Sequence, residues 1–180
     1  MKPYSIFFIS FLVVTAIERI CTTFFVTSKY KGIVFERWTL YPLVFFHILI
    51  YIFCAIEYFF SYRKINPYVV LLGLILFILS FLLRKWSVKT LGEYESCHIE
   101  IKLPHKIIQQ GPYKYLRNPR YIANMIEVIS ITLIANAYMA FIFALITYIP
   151  FTMYRAARED KVMCREIGKD YINYRRKVNF

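Results

Sequence analysis

The sequence predicts an all-α integral membrane protein with about five transmembrane helices: three spans, a long polar loop, a helical hairpin and a surface C-terminal helix. Three observations predict it. The 180 residues are 59% hydrophobic with a mean hydropathy of +0.48, more apolar surface than so small a soluble domain can hide. Several apolar runs reach the length needed to cross a bilayer. The net charge is nevertheless +12, so the cations must gather in patches outside the apolar phase.

The first element is PYSIFFISFLVVTAIERICTTFFV, residues 3–26, with Glu18 and Arg19 in its later part. It has no small-residue cleavage site and runs on into further apolar chain, so it reads as a span rather than a cleavable signal. The second is LYPLVFFHILIYIFCAIEYFFSY, residues 40–62, and the third PYVVLLGLILFILSFLL, residues 67–83. The link RKIN between them is short, which predicts an antiparallel hairpin. His47 and Glu57 are ten residues apart in the second segment and do not share a helical face. They are assigned interior or interfacial positions and no role.

Residues 84–120 are polar and basic and contain both Gly and Pro. A loop of this length in a small protein is usually functional. Residues 122–154, IANMIEVISITLIANAYMAFIFALITYIPFTMY, exceed one ordinary span. A break at Asn136 gives two helices of about 15 and 18 residues, roughly 22–27 Å each. Residues 155–180 are expected to form a charged helix lying at the surface. We read the chain as a single domain, with three membrane helices in 1–83 and the functional half in 84–180.

Lys and Arg set the expected orientation. With the N-terminus outside, three cations face out and nineteen face in, Arg19 lying within the first span. The expected topology is therefore N-outside and C-cytoplasmic, with the long loop and the tail on one side. Basic character tracks the ends of apolar segments, which suits lipid headgroups or an anionic substrate better than nucleic acid. The four cysteines show no CxxC and no metal-ligand spacing with His, so they read as free thiols and no metal site is expected.

Residues 111–121, GPYKYLRNPRY, stand between the polar loop and the hairpin. Gly111-Pro112 makes a turn, and Pro119 suits the first residue of a helix. Backbone amides at such a start favour an anionic group, and Arg117 and Arg120 add charge there. Tyr and Arg at headgroup level also serve as plain interfacial anchors. In residues 154–160, YRAARED, Arg155 and Glu159 share one helical face, as a routine ion pair or as a cation and carboxylate presented together. Arg120, Asn124 and Glu127 likewise share a face. That stripe either lines an acceptor path or makes a buried polar contact.

Taken in order, WSVKTLG (86–92), HKIIQQGPYKYLRNPRY (105–121), RAARED (155–160) and IGKDYINYRRKV (167–178) resemble the isoprenylcysteine carboxyl methyltransferase family of integral membrane methyltransferases. Order and spacing agree over about the last hundred residues. The chain departs from the family pattern with Asn118 where many members have His, Arg120 where a small or apolar residue or Asn is common, and Asp160 for a second Glu.

The resemblance implies S-adenosyl-L-methionine as methyl donor, held on the cytoplasmic side without a dinucleotide-binding domain. The five scattered glycines form no G-x-G-x-x-G, in keeping with that. By the same resemblance the cofactor contacts are His105, Ile107, Tyr113, Arg117, Asn118, Tyr121 and Glu159. Arg155 and Glu159 are the expected catalytic pair, Arg155 orienting an acceptor carboxylate. Arg120, Asn124 and Glu127 are the expected acceptor contacts. An ionised carboxylate needs no general base, so alignment and desolvation would carry the reaction. The expected acceptor comes from the bilayer: a prenylated cysteine, an alkylpyrone-like lipid or a phospholipid amine. The competing classes are a sterol-reductase-like NADPH oxidoreductase, for which the chain is short, and a non-enzymatic membrane protein with a basic patch.

Overall fold

A computed structural model describes residues 3–24, 32–61, 64–96, 98–102 and 107–178. The chain is helical apart from one short ribbon. Helix α1 spans Pro3–Phe24, α2 Leu40–Phe60 and α3 Pro67–Leu91. Helix α4 spans Pro119–Ile134, α5 Tyr138–Ile146, α6 Tyr148–Glu166 and α7 Lys169–Lys177. Four stretches, Tyr4–Thr22, Arg37–Phe60, Pro67–Tyr94 and Tyr138–Glu166, are long and apolar enough to cross a membrane. The chain is an integral membrane protein. Helix α4, at 16 residues, is about 24 Å long and accompanies the four through the bundle.

Local chemistry explains the helix boundaries. Asn66 caps α3 by accepting from Tyr68 N at 3.0 Å, and Pro67 occupies the first turn, where its missing N–H costs nothing. Asn136 takes a left-handed backbone (φ 53°), which Asn tolerates better than most residues. This makes the expected break between α4 and α5. A second break at Thr147 follows from Pro150, whose ring and missing N–H disturb the bond to the carbonyl four residues earlier.

Two segments differ from expectation. Residues 84–91, read as loop, are the last two turns of α3. No breaker precedes Gly92, and Arg84 is buried at 4% exposure by ion pairs rather than solvated. The tail is not one surface helix. Helix α6 carries straight on through Arg155 and Glu159, and the chain turns only at Gly168, before α7.

The far end of the bundle is stitched by polar contacts between helices far apart in the chain. Glu57 accepts from Met139 N and Ala140 N, both at 3.0 Å, placing a carboxylate at the positive N-terminus of α5. Asn136 Oδ1 accepts from Asn66 N at 2.8 Å, and the Tyr4 hydroxyl donates to Ile134 O. Between the ends, α3 and α4 pack closely. A Cβ on Gly73 would stand 2.8 Å from Ile134 Cγ1, so only glycine fits at this approach. The core joins Phe8, Leu43, Ile50, Val128 and Ile131 to the alanines of α5. Large apolar side chains such as Val14, Phe45, Leu71 and Ile78 point outward, as a lipid-facing surface requires.

At the opposite end, β1 (Gly32–Phe35) pairs antiparallel with β2 (Ile99–Lys102), Gly32 opposite Lys102 and Phe35 opposite Ile99. The ribbon joins the α1–α2 connection to the long loop. Ile99, Ile101 and Val162 bury together beneath it, so it is seated on α6. Glu36 fixes the corner by an ion pair with Arg158.

Candidate functional site

Four elements converge at the ribbon end of the bundle. The GPYK turn, a short 3-10 helix over Gly111–Lys114, buries Pro112 and Tyr113. Gly111 has φ 57° and lies against α3, where a Cβ would meet Thr90 Oγ1 at 2.5 Å. Helix α4 then starts at Pro119 and presents Tyr121. Helix α6 presents Arg155 and Glu159 one turn apart, and α7 folds back from Gly168.

Tyr121 brings the α6 pair together. Its hydroxyl donates to Glu159 Oε2 at 2.7 Å and accepts from Arg155 Nε at 3.0 Å. Arg155 is 3% exposed, so its charge lies in a dry, low-dielectric setting where electrostatic contacts are strong. Asp160, the next residue, is the anchor of the tail. It accepts from Arg117 and from the Tyr171 hydroxyl at 2.5 Å. The Tyr174 hydroxyl reaches over to Tyr113 O at 2.7 Å. The tail is thereby latched onto the turn that carries Tyr113.

The electrostatics keep these phenols neutral. Burial, then nearby Glu159, pushes Tyr113 well above the ordinary tyrosine range. Burial, then Asp160, does the same to Tyr171, and burial pushes Tyr174 up to about 12. His98 is shifted down by burial and by the charges of Arg155 and Arg37, so it stays neutral at pH 7.

Apart from Asp160, the residues of this cluster line one cavity of about 460 Å³, a size typical of small-molecule sites (about 300–1,000 Å³). Its ribbon-end wall includes His98, Tyr113, Asn118, Tyr121, Arg155 and Glu159. It continues between α1 and α2 among residues of the spans, including Ile20, Leu43, Val44 and Ile48. A single space therefore connects a polar chamber with the apolar layer.

The family model of the isoprenylcysteine carboxyl methyltransferase (ICMT) family matches residues 71–165, just over half of the chain. The chain belongs to this family. The matched region contains α3 from Leu71, the GPYK turn, α4, α5 and α6 through Arg165, and so includes three of the four elements that converge on the chamber. The chain is also 29% identical over 93 residues to the uncharacterized protein YpbQ of Bacillus subtilis (strain 168), an alignment covering 51% of this chain and 55% of that protein. The chain thus spans about half the length of the curated relative it matches.

For the ICMT-family reading, the positions of the expected residues are informative. Ile107, Tyr113, Arg117, Asn118, Tyr121, Arg155 and Glu159 all line the cavity. His105 lies outside the described residues. Arg120 and Asn124 also line the cavity, but Arg120 is ion-paired with Glu95 and donates to Ser96 O at 2.7 Å. Glu127 is not among the lining residues. At 1% exposure it sits behind the wall, ion-paired with both Arg19 and Arg84. Arg84 also pairs with Glu18 at 2.8 Å, and Arg19 Nη1 donates to Asn124 Oδ1 at 3.0 Å. Glu127 thus reaches the cavity only through the Arg19 it holds.

Sequence reasoning gave His47 an interior or interfacial place but no role, and left out His98 and the Asp160–Tyr171 latch. His98 had no motif to mark it, because the ribbon that carries it pairs segments some seventy residues apart. Tyr171 and Tyr174 were visible as a spaced pair, but their partners are set by the fold of α7 onto α6.

Proposed function

We propose that this chain is an S-adenosyl-L-methionine-dependent methyltransferase that methylates a lipophilic acceptor reaching it from the bilayer. The acceptor class we favour is the carboxylate of a prenylated cysteine or a similar lipid-like oxygen acceptor. The observation that carries the reading is the Arg155–Tyr121–Glu159 cluster at the head of a cavity that extends between α1 and α2.

The chamber fits the cofactor's chemistry. Glu159 offers a carboxylate for an ammonium or for ribose hydroxyls. Asn118 Nδ2 and Arg117 Nε are buried with no hydrogen-bond partner among the described residues, and a polar ligand would supply one. The rings of Tyr113 and Tyr121 suit a sulfonium by cation–π attraction. The cofactor, when bound, supplies a methyl group already activated on positive sulfur. Arg155 orients the acceptor carboxylate and holds it ionised. Burial excludes water and strengthens that contact. In this reading the chamber faces the cytoplasm, with the N-terminus outside.

A second reading has a specific observation behind it. His98 Nδ1 is buried without a partner among the described residues, on the wall that carries Arg155. A hydroxyl acceptor would lose its proton to this neutral imidazole as its oxygen attacks.

The deciding experiment is calorimetric binding of S-adenosylmethionine, S-adenosylhomocysteine and NADPH to the detergent-purified chain. Micromolar binding of the two adenosyl ligands without NADPH is the expected result. NADPH binding alone would move the protein to the reductase class, and no binding would leave a structural role.

A further inference from the structure

The cavity carries polar groups at the depth of the spans, where a tunnel for a plain hydrocarbon needs none. Arg19, His47, Tyr51, Asn124 and Tyr148 all line it there. His47 is 8% exposed. Its ring lies between two tyrosines, with centroids 5.1 Å from Tyr51 and 5.5 Å from Tyr148. Nδ1 faces the Tyr148 hydroxyl at 3.4 Å, a long contact. Nε2 is buried and has no hydrogen-bond partner among the described residues. A buried polar atom left without a partner is costly, and lipid supplies no hydrogen bond to offset it.

The charges beside it define what would bind. Arg19 and Arg84 are matched by Glu18 and Glu127 in one ion-paired group. Two positive and two negative charges leave no net charge to hold either an anion or a cation. A neutral oxygen needs no such charge. Either tautomer of His47 can serve it: Nε2 accepts from a hydroxyl when Nδ1 carries the proton, and donates to a carbonyl when it does not.

We propose that His47 forms a second acceptor subsite, which takes a neutral hydroxyl or carbonyl oxygen on the apolar body of the acceptor. The subsite rests on the methyltransferase reading for its name, since it supposes that the reacting oxygen lies at Arg155. Tyr148 and Arg155 are two turns apart on one face of α6, about 10 Å along the axis at ~1.5 Å per residue. The second oxygen therefore belongs well along the acceptor chain. A purely hydrocarbon tail such as a prenyl chain would leave His47 unsatisfied, so within the proposed class the subsite favours an oxygen-bearing lipid-like acceptor over a prenylated cysteine.

The test is equilibrium binding of three radiolabelled fatty acids to the full chain in lipid nanodiscs with S-adenosylhomocysteine present. One carries a hydroxyl midway along its chain, one carries it next to the carboxylate, and one is the unsubstituted parent. The mid-chain hydroxyl acid is expected to bind about ten-fold more tightly than the other two, one good hydrogen bond's worth. The preference is expected to vanish in His47→Phe and in His47→Leu, of which either folded variant suffices. Equal affinity for the three acids, no binding by any of them, or a preference that survives these substitutions overturns the subsite. Binding of S-adenosylhomocysteine, measured on the same preparation, reports separately on the methyltransferase reading. If it binds while the acids are not told apart, only the His47 subsite fails. If it does not bind, the function fails whatever the acids do.

Discussion

The Tyr121 hydroxyl of α4 donates a 2.7 Å hydrogen bond to Glu159 of α6. The same oxygen accepts from Arg155 Nε, so one phenol positions both the carboxylate and the guanidinium. Tyr121→Phe should therefore impair two functions together. The loss of about 1 kcal/mol at Glu159 predicts roughly five-fold weaker S-adenosylhomocysteine binding by calorimetry. Turnover should fall further, because Arg155 also loses its guide. A variant that binds and turns over like the parent would make the cluster purely structural.

Glu159 and Arg155 should separate in their effects. Glu159→Ala is expected to abolish cofactor binding, since it removes the carboxylate held by Tyr121. Arg155→Ala should keep cofactor binding and lose methyl transfer to a prenylated cysteine. Calorimetry and a radiolabelled methyl-transfer assay read the two. Normal binding and turnover in both variants would show that the site lies elsewhere.

Glu127 should matter for stability first. At 1% exposure it pairs with two arginines, and Glu127→Ala would leave Arg84 to Glu18 and Arg19 without its carboxylate among the spans. Breaking a buried pair from one side costs about 3–5 kcal/mol. The expected result is a large drop in the thermal midpoint followed by size-exclusion chromatography, or failure to fold. Glu18→Gln should cost less, because the Glu18 side chain is 25% exposed. Equal midpoints for Glu127→Ala and the parent would contradict the buried network.

Gly73 tests the α3–α4 approach. A Cβ there meets Ile134 Cγ1 at 2.8 Å and Ile134 N at 2.9 Å. Gly73→Leu should overpack this contact by about 1–3 kcal/mol and lower the thermal midpoint accordingly. An unchanged midpoint would mean that the helices can part without cost.

His98 distinguishes acceptor classes. Its pKa is lowered by burial and by Arg155 and Arg37, so it loses its charge below the usual value of about 6.5. A base works only while neutral. With a hydroxyl acceptor, activity should hold as pH falls to about 6.5 and decline only below it. His98→Ala should then reduce the rate about 10²–10⁴-fold. With a carboxylate acceptor, the same variant should leave the rate within a few-fold of the parent.

The sequence by itself determined the spans, their order and the chemistry of the turns. Apolar runs mark α1, α2 and α3; Asn136 marks the α4–α5 break, Pro119 the start of α4, and the four-residue spacing puts Arg155 and Glu159 on one face. These are short-range properties, set by hydropathy over one helix length or by backbone preferences of single residues. The tertiary structure alone decided which charges are spent on the protein and which face a ligand. Arg117 and Arg120 look alike in sequence, yet Asp160 takes one and Glu95 the other. Glu127 shares a helical face with Asn124, yet two arginines from other helices draw it behind the wall. His98 joins the cavity because a ribbon pairs β1 with β2, and His47 does so because α2 packs beside Tyr148. Choice among several possible ion-pair partners depends on distances between helices far apart in the chain, and local sequence does not encode those distances.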